Sequence, residues 1–393
     1  MAENFDVVIC GGGVTGCSTA YFLASNPDFD GTVLVIERDP TYENAPSAKA
    51  TGGIRQQFST AENIQIGLFG AHFAKNADEY LSVDGAAAGI VFREQGYLLL
   101  GDAKAMPILK ENQVVQQAEG ANISILDAKT LEERFPWVDS DELEGAAFGE
   151  TDEGWIDPYS LLQAFKRKAR SLGVEFRKDV VAAIEAEGGK ASGVVLENGT
   201  RIGAGHVLNS AGASGGRALL TPLGVDVPIE SRRRTTFVWE CKTDVTSAPL
   251  TVLPSGVAWR PEGKLCLSNL APPAEKDPER FDYDIDYNQF EEDIWPELAR
   301  YIPAFEAIKL VNAWVCHYDY NTLDENAIID FAPGFDNLLL ALGFSGHGMQ
   351  QAPAVGRALS ELIVHGEYRA MNLKRLGYER VINGDPIREN NCW

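Results

Sequence analysis

No stretch of the sequence stays apolar for long: runs such as Leu338 to Leu342 fall far short of the roughly 20 residues a helix needs to cross a bilayer. No membrane span is expected. Basic residues are scarce, 34 Lys and Arg against 57 Asp and Glu for a formal net charge of −23, which disfavours nucleic acid or an anionic membrane as a partner. The six cysteines (Cys10, Cys17, Cys241, Cys266, Cys316, Cys392) have no CxxC spacing and the five histidines no HxxxH pair. Neither a disulfide framework nor a metal site is indicated, and a reducing compartment is expected. Phe5 to Cys10 already reads as a buried strand, which leaves no room for a charged segment followed by an apolar signal segment. The start therefore reads as mature and the protein as cytoplasmic. Internal repeats and low-complexity tracts are missing as well.

What is present is a globular composition, 45% apolar and 23% charged over 393 residues. At roughly 150 residues per domain, that length predicts two or three domains. Near the start, the β-branched run Phe5-Asp6-Val7-Val8-Ile9-Cys10 feeds into Gly11-Gly12-Gly13-Val14-Thr15-Gly16 and then a helical pattern from Cys17 to Ala24. Gly11 permits a tight turn, Gly13 lets a pyrophosphate approach the backbone, Gly16 allows close helix packing, and a helix N-terminus attracts phosphate. A second strand, Thr32 to Ile36, ends at Glu37, 21 residues beyond Gly16, where a carboxylate can accept both ribose hydroxyls of an adenosine. An ordinary βαβ turn would share the glycines but would not need strand, helix and Glu37 to agree. An acid at this place argues against a 2′-phosphate, leaving FAD or NAD.

An NAD enzyme of this kind would continue in βαβ units, whereas here Arg38 to Gly53 is a long irregular stretch rich in Pro, Asn, Ser and Gly. In this the sequence resembles the flavin-dependent amine and amino-acid oxidoreductases of the D-amino-acid oxidase and sarcosine oxidase superfamily. In those proteins the loop after the acidic residue follows the FAD pyrophosphate and ribityl chain, so the resemblance implies that Arg38, Ser47, Lys49, Thr51 and Gly52 lie along FAD. Gly154-Trp155-Ile156-Asp157-Pro158-Tyr159, with the helix to Leu172, resembles the family's return into the nucleotide domain. Val181, at the end of the following strand, matches the position whose backbone meets the adenine. Val207 to Ala213 resembles the second glycine-containing strand end, with Ala211 and Gly212 beside the dinucleotide. Ala341 to Gln350 resembles a strand and loop opening the last long helix, which implies Gly343, Gly346, His347, Gly348 and Met349 around the flavin. A helix starting there brings roughly half a positive charge to the flavin N1–C2=O edge, where negative charge accumulates on reduction. Gly53 to Ser59, Tyr318 to Thr322, Gly343 to Pro353 and Ile387 to Asn391 look most like the branch containing the mitochondrial FAD-dependent oxidoreductase-domain assembly-factor protein.

The resemblance implies an α/β, Rossmann-like FAD-binding domain of the glutathione-reductase/D-amino-acid-oxidase type, with an α+β, antiparallel-sheet substrate domain. Residues 1–85, 146–225 and 323–393 would form the first, 86–145 and 226–322 the second. Alternating patterns in Gly89 to Leu100 and Arg232 to Leu267 fit that sheet.

Oxidation of an amine α to a carboxylate needs a C–H bond aimed at flavin N5 and a cation on the carboxylate. The family uses an Arg after the ribityl loop and a Lys in the glycine loop. Arg55 matches the first by motif, although an exposed helix-start arginine would read the same; the Lys position falls on Gln350. Tyr318 and Tyr320 match aromatics over flavin or substrate and would read the same as core aromatics. Cys316 lies near the cysteine that bonds the flavin in sarcosine oxidases. An ungapped count lands on His317 instead, so a buried inert cysteine and a non-covalent FAD are expected. Lys264 reads as a solvated turn lysine before an oxygen-activating one, and Arg232-Arg233-Arg234 as a solvated edge with one inward member, or as an attractor of acidic substrate. The expected activity is oxidation of the C–N bond of an amino acid or N-substituted amino acid, with oxygen or an electron-transfer acceptor as second substrate. The alternatives are an FAD-bearing assembly or chaperone-type protein with vestigial catalysis, and an NAD dehydrogenase, which would be colourless when purified.

Overall fold

A computed structural model describes residues 3–390, so Asn391 and Cys392 lie outside the described residues. The apolar runs near both ends of the chain meet in one sheet. Its order is Ile328–Phe331, Leu338–Leu342, Arg201–Asn209, Glu3–Cys10, Val33–Glu37, Glu175–Lys178. Ile328–Phe331 is antiparallel to its neighbour, and the other pairs are parallel. Continuous apolar strands suit a sheet covered on both faces. Val7 and Ile9 pack under the helices Val14–Ala24, Pro158–Ser171 and Gly348–His365. Val8 and Cys10 pack instead with the hairpin Val181–Glu187, Lys190–Leu196 and the helix Gly212–Leu220. Register aligns Cys10 with Ile36 on one side and Asn209 on the other, so the carboxyl ends of the central strands share one edge. Ligands of such sheets bind at that edge.

The second sheet runs Lys309–Asn321, Ile229–Glu240, Leu265–Asn269, Ala258–Glu262, Leu250–Val252, Tyr97–Gly101, Gly145–Gly149, Ile123–Asp127. Its neighbours are antiparallel except for Leu250–Val252, which runs parallel to Tyr97–Gly101. Its core is aromatic, with Phe237, Trp239, Trp259 and Phe305 all buried. A short ladder, Gly53–Ile54 with Gly154–Trp155, ties the loop after Glu37 to the chain returning from this sheet.

Several expectations need correction. The first helix begins at Val14 rather than Cys17. Of Gly89 to Leu100, only the part from Tyr97 is strand; Gly89 and Gly96 adopt φ of +77° and +85°, which break the extended chain before it. Val181 opens a strand instead of ending one, since Glu175–Lys178 has already terminated. The changeover at 145/146 would cut Gly145–Gly149, which belongs wholly to the second sheet. The arginine triplet is internal to Ile229–Glu240 and ion-paired: Arg232 to Glu230, Arg233 to Asp282, and buried Arg234 in a bidentate pair with Asp277. Charges neutralised in this way leave little field to attract substrate.

Candidate active site

The fingerprint turn is built by close approach. A Cβ on Gly11, whose φ is +104°, would lie 2.5 Å from Ser210 O, and one on Gly16 would lie 2.0 Å from Gly11 O. Those contacts lock the strand, the turn and the helix Val14–Ala24 together, and they bring Ser210-Ala211 and the helix start at Gly212 against the same turn. Gly13 differs, because the one atom near its Cβ position is Ser47 Oγ at 3.1 Å. Ser47 Oγ also accepts from Val14 N at 3.1 Å, so the loop after Glu37 folds over the helix N-terminus. Thr15, in the first turn, is buried. Glu37 accepts from Gly12 N through one oxygen and Asp39 N through the other, both at 2.8 Å. Its carboxylate is thus held at the strand end, while Arg38 points to solvent. Asp179 N donates to Glu37 O at 3.2 Å, which brings the start of the hairpin at Val181 beside this corner.

The loop then runs under the second sheet. Lys49 donates to Val315 O and Asn44 Oδ1, each at 3.3 Å, and its carbonyl accepts from Trp314 Nε1. Thr51 O accepts from buried Arg260 Nε at 2.7 Å. Gly52, at φ +83°, leaves no space for a Cβ, which would sit 2.1 Å from Ile156 O. Beyond it opens a cleft of about 300 Å³ lined by Thr51, Arg55, Tyr97, Tyr318, His347 and Gln350 among others. That volume falls in the range of small-molecule sites.

Arg55 is buried, with its guanidinium 4.6 Å from the Phe58 ring centre and 5.6 Å from that of Tyr97. The helix-start reading is therefore excluded. Gln350 Oε1 accepts from Arg55 N at 2.9 Å, so this glutamine holds the arginine's backbone instead of supplying a second cation. His347 Nε2 lies 3.4 Å from Arg55 Nη2. A guanidinium can only donate, so Nε2 accepts and the imidazole proton sits on Nδ1. Burial, together with the Arg55 charge, holds His347 down near 3, and the ring stays neutral at physiological pH.

Tyr318 closes the other side. A Cβ on Gly346 would meet its ring at 2.4 Å, so the glycine loop, with Gly343 at φ +77° and Gly346 at φ +98°, packs directly on the tyrosine. Burial raises the Tyr318 phenol, which stays protonated. Asp319, which the sequence reading missed, accepts from Gly343 N at 2.8 Å through its side chain and from Ser345 N at 3.1 Å through its carbonyl. Burial pushes its carboxyl up to about 6, against the pull of the Phe344 and Gly343 N–H groups. The loop delivers Gly348 and Met349 into the first turn of Gly348–His365, where no side chain caps the amides. Cys316 and His317 face opposite ways. Cys316 lines a smaller cavity of about 80 Å³, with Lys49, that adjoins the cleft at Thr51 and Tyr318, whereas His317 Nε2 donates to Asp282 O at 2.8 Å and packs edge-on against Tyr283. Lys264 is exposed in the turn between Ala258–Glu262 and Leu265–Asn269. Tyr320 turns its hydroxyl to Glu325 at 2.9 Å.

Buried Glu153 also escaped the sequence reading. It accepts from Gln56 N at 2.6 Å and Gln57 Nε2 at 2.7 Å, immediately after Arg55. Burial drives its carboxyl up to about 7. Its neighbourhood, Thr151-Asp152-Glu153-Gly154, looks like any polar turn.

These parts suit an extended dinucleotide with a flavin: a glycine turn at a helix N-terminus, a carboxylate at the next strand end, a loop over both, and a second helix N-terminus at the cleft. A family model described as DAO, FAD dependent oxidoreductase, matches residues 6–362. The FAD-dependent oxidoreductase domain-containing protein 1 of Bos taurus is 37% identical over 99% of this chain and 87% of its own. A monomeric sarcosine oxidase from an Arthrobacter species is 24% identical over 93% of this chain and 94% of its own. The crystal structure of L-proline dehydrogenase from P. horikoshii superposes with a TM-score of 0.86 at 23% identity, covering 98% of this chain and 100% of that one.

Proposed function

The chain belongs to the DAO family of FAD-dependent oxidoreductases, and from that premise we propose that it oxidises the C–N bond of an amino acid or N-substituted amino acid. Bound FAD would take the α-hydrogen as hydride at N5 while the nitrogen lone pair forms the imine, which water then hydrolyses. The observation that carries the reading is Arg55: a planar, permanently charged fork in the cleft, held at its backbone by Gln350 and stacked on Phe58 and Tyr97. It would grip the substrate carboxylate and aim the α-carbon. Neutral His347 would orient the guanidinium, and Tyr318 would wall off water. The amides at Gly348 to Gln350 would stabilise negative charge at the cofactor edge. Oxygen or an electron-transfer acceptor would complete turnover.

Anaerobic mixing with a panel of amino acids and their decarboxylated amines tests this. A substrate amino acid should bleach the flavin absorbance. Arg55→Ala should cut kcat/KM roughly ten- to hundredfold, the loss of a charge-assisted contact of about 1.5–3 kcal/mol, with the flavin spectrum intact. The matching amine should be poor with both proteins and unaffected by the substitution. If no panel member bleaches the flavin, the protein carries FAD for another role, such as the assembly-type function of the alternative reading.

A further inference from the structure

The arginine just described sits at one end of a segment, Arg55 to Thr60, whose other end is secured from the far end of the chain. Thr60 precedes the helix Ala61–Lys75 but makes no side-chain cap to its amides. Glu389 comes in instead. One carboxylate oxygen accepts from Ser59 N at 2.6 Å and Ser59 Oγ at 2.7 Å; the other accepts from the Thr60 hydroxyl and from Asn63 Nδ2 at 2.6 Å. Four donors on one carboxylate, at the positive end of a helix, make a strong anion seat.

The strap carrying Glu389 is itself pinned along its length. Ile387 N donates to Asp324 Oδ2 at 3.1 Å, Ile387 O accepts from Asn326 Nδ2 at 2.7 Å, and Asn390 O accepts from Asn112 Nδ2 at 2.7 Å. Asp324 is in turn ion-paired with buried Arg380. The strap lies beyond residues 6–362, the part matched by the family model. The route back to the arginine is short: Ser59 adjoins Phe58, whose ring carries the Arg55 guanidinium, and a Cβ on Gly67 of the same helix would meet Arg55 O at 2.4 Å.

We infer that Glu389 is a positioning residue: the strap Ile387–Asn390 latches the Ser59–Asn63 corner and so holds Arg55 at the geometry the substrate carboxylate requires. This rests on the carboxylate-gripping reading of Arg55. A latch of this kind acts on how substrate is bound, not on the hydride step, so its loss should fall on KM.

The experiment uses the full-length FAD-loaded protein with Glu389→Gln, and with Thr60→Val, which removes one donor and leaves the strap intact. Hydrogen exchange should quicken at least tenfold at Ser59 to Asn63 in both, with Glu3 to Cys10 and flavin content unchanged. KM for the substrate amino acid found in the panel should rise about tenfold, with kcat within twofold. The double variant should match Glu389→Gln, since both changes remove parts of one contact. Unchanged exchange and KM in both variants, or additive effects in the double, would overturn the latch. If exchange quickens while Arg55→Ala leaves the preference for carboxylates intact, the latch stands as a structural contact and the proposed function fails. If Arg55→Ala abolishes that preference while both latch variants behave as wild type, the reverse holds.

Discussion

At the scale of single residues, the segment after Gly53 shows how one side chain's role depends on partners far away in sequence. Arg55 was legible because its motif and glycine neighbours are local; Glu153, Asp319 and Glu389 were not, because each acts on a segment reached only through tertiary packing. Glu153 has a consequence of its own. Burial raises its carboxyl from 4.5 to about 7, against the two amide donors that favour the charge. Between those values the unfolded chain has ionised and the folded one has not, so the contribution is fully present below about 4.5 and is lost as pH rises through about 7. The difference corresponds to roughly 3 kcal/mol. Thermal melts of wild type should therefore fall more steeply from pH 5 to 8 than those of Glu153→Gln, which cannot titrate. Parallel curves would show that Glu153 is already ionised in the folded protein at pH 5.

At the scale of elements, the strands and the two helices that follow glycine turns could be read from the sequence because apolar runs, glycine turns and their spacing are local signals. The packing between the helices Val14–Ala24 and Gly348–His365 could not, since nothing near Gly356 distinguishes it from an ordinary helical position. In the structure a Cβ there would lie 2.2 Å from Ser18 Oγ and 2.7 Å from the Ser18 carbonyl carbon, and Ser18 Oγ donates to Ala352 O at 2.7 Å. One helix end points to the glycine fingerprint and the other to the cleft, so their spacing sets the span offered to the dinucleotide. Gly356→Ala gains up to about 1 kcal/mol of helix propensity, but the clash is with backbone and forces the helices apart, at about 1–3 kcal/mol. The clash wins. Gly356→Ala should melt a few degrees lower and retain less flavin after gel filtration; a higher melting temperature would mean that the helix pair has room to spare.

At the scale of the whole molecule, the parts proposed to face the cofactor come from distant stretches of the chain: the turn Gly11 to Gly16, the loop Ser47 to Gly52, the corner at Val181, the strand end at Ala211, and Gly343 to Met349. The antiparallel sheet closes the cleft with Tyr318, and Cys316 lines the smaller cavity adjoining it. A ligand that touches all of these should be coupled to folding as a unit. Protein stripped of FAD and then given about 100 times its dissociation constant should gain about 2.7 kcal/mol. Flavin fluorescence should appear at the same temperature as loss of secondary structure, and not before it. The same arrangement bears on covalency. Cys316 lines the small cavity beside the cleft, yet burial pushes its thiol up to about 12, against the weaker pull of Arg234 and Lys49. Attack on a flavin methyl group needs the thiolate, which is almost absent at neutral pH under those conditions. Acid precipitation should accordingly leave a white pellet and all of the FAD in the supernatant. A yellow pellet that turns white in Cys316→Ala would show that the thiol reacts despite its burial. A yellow pellet that persists in Cys316→Ala would put the bond on a different side chain.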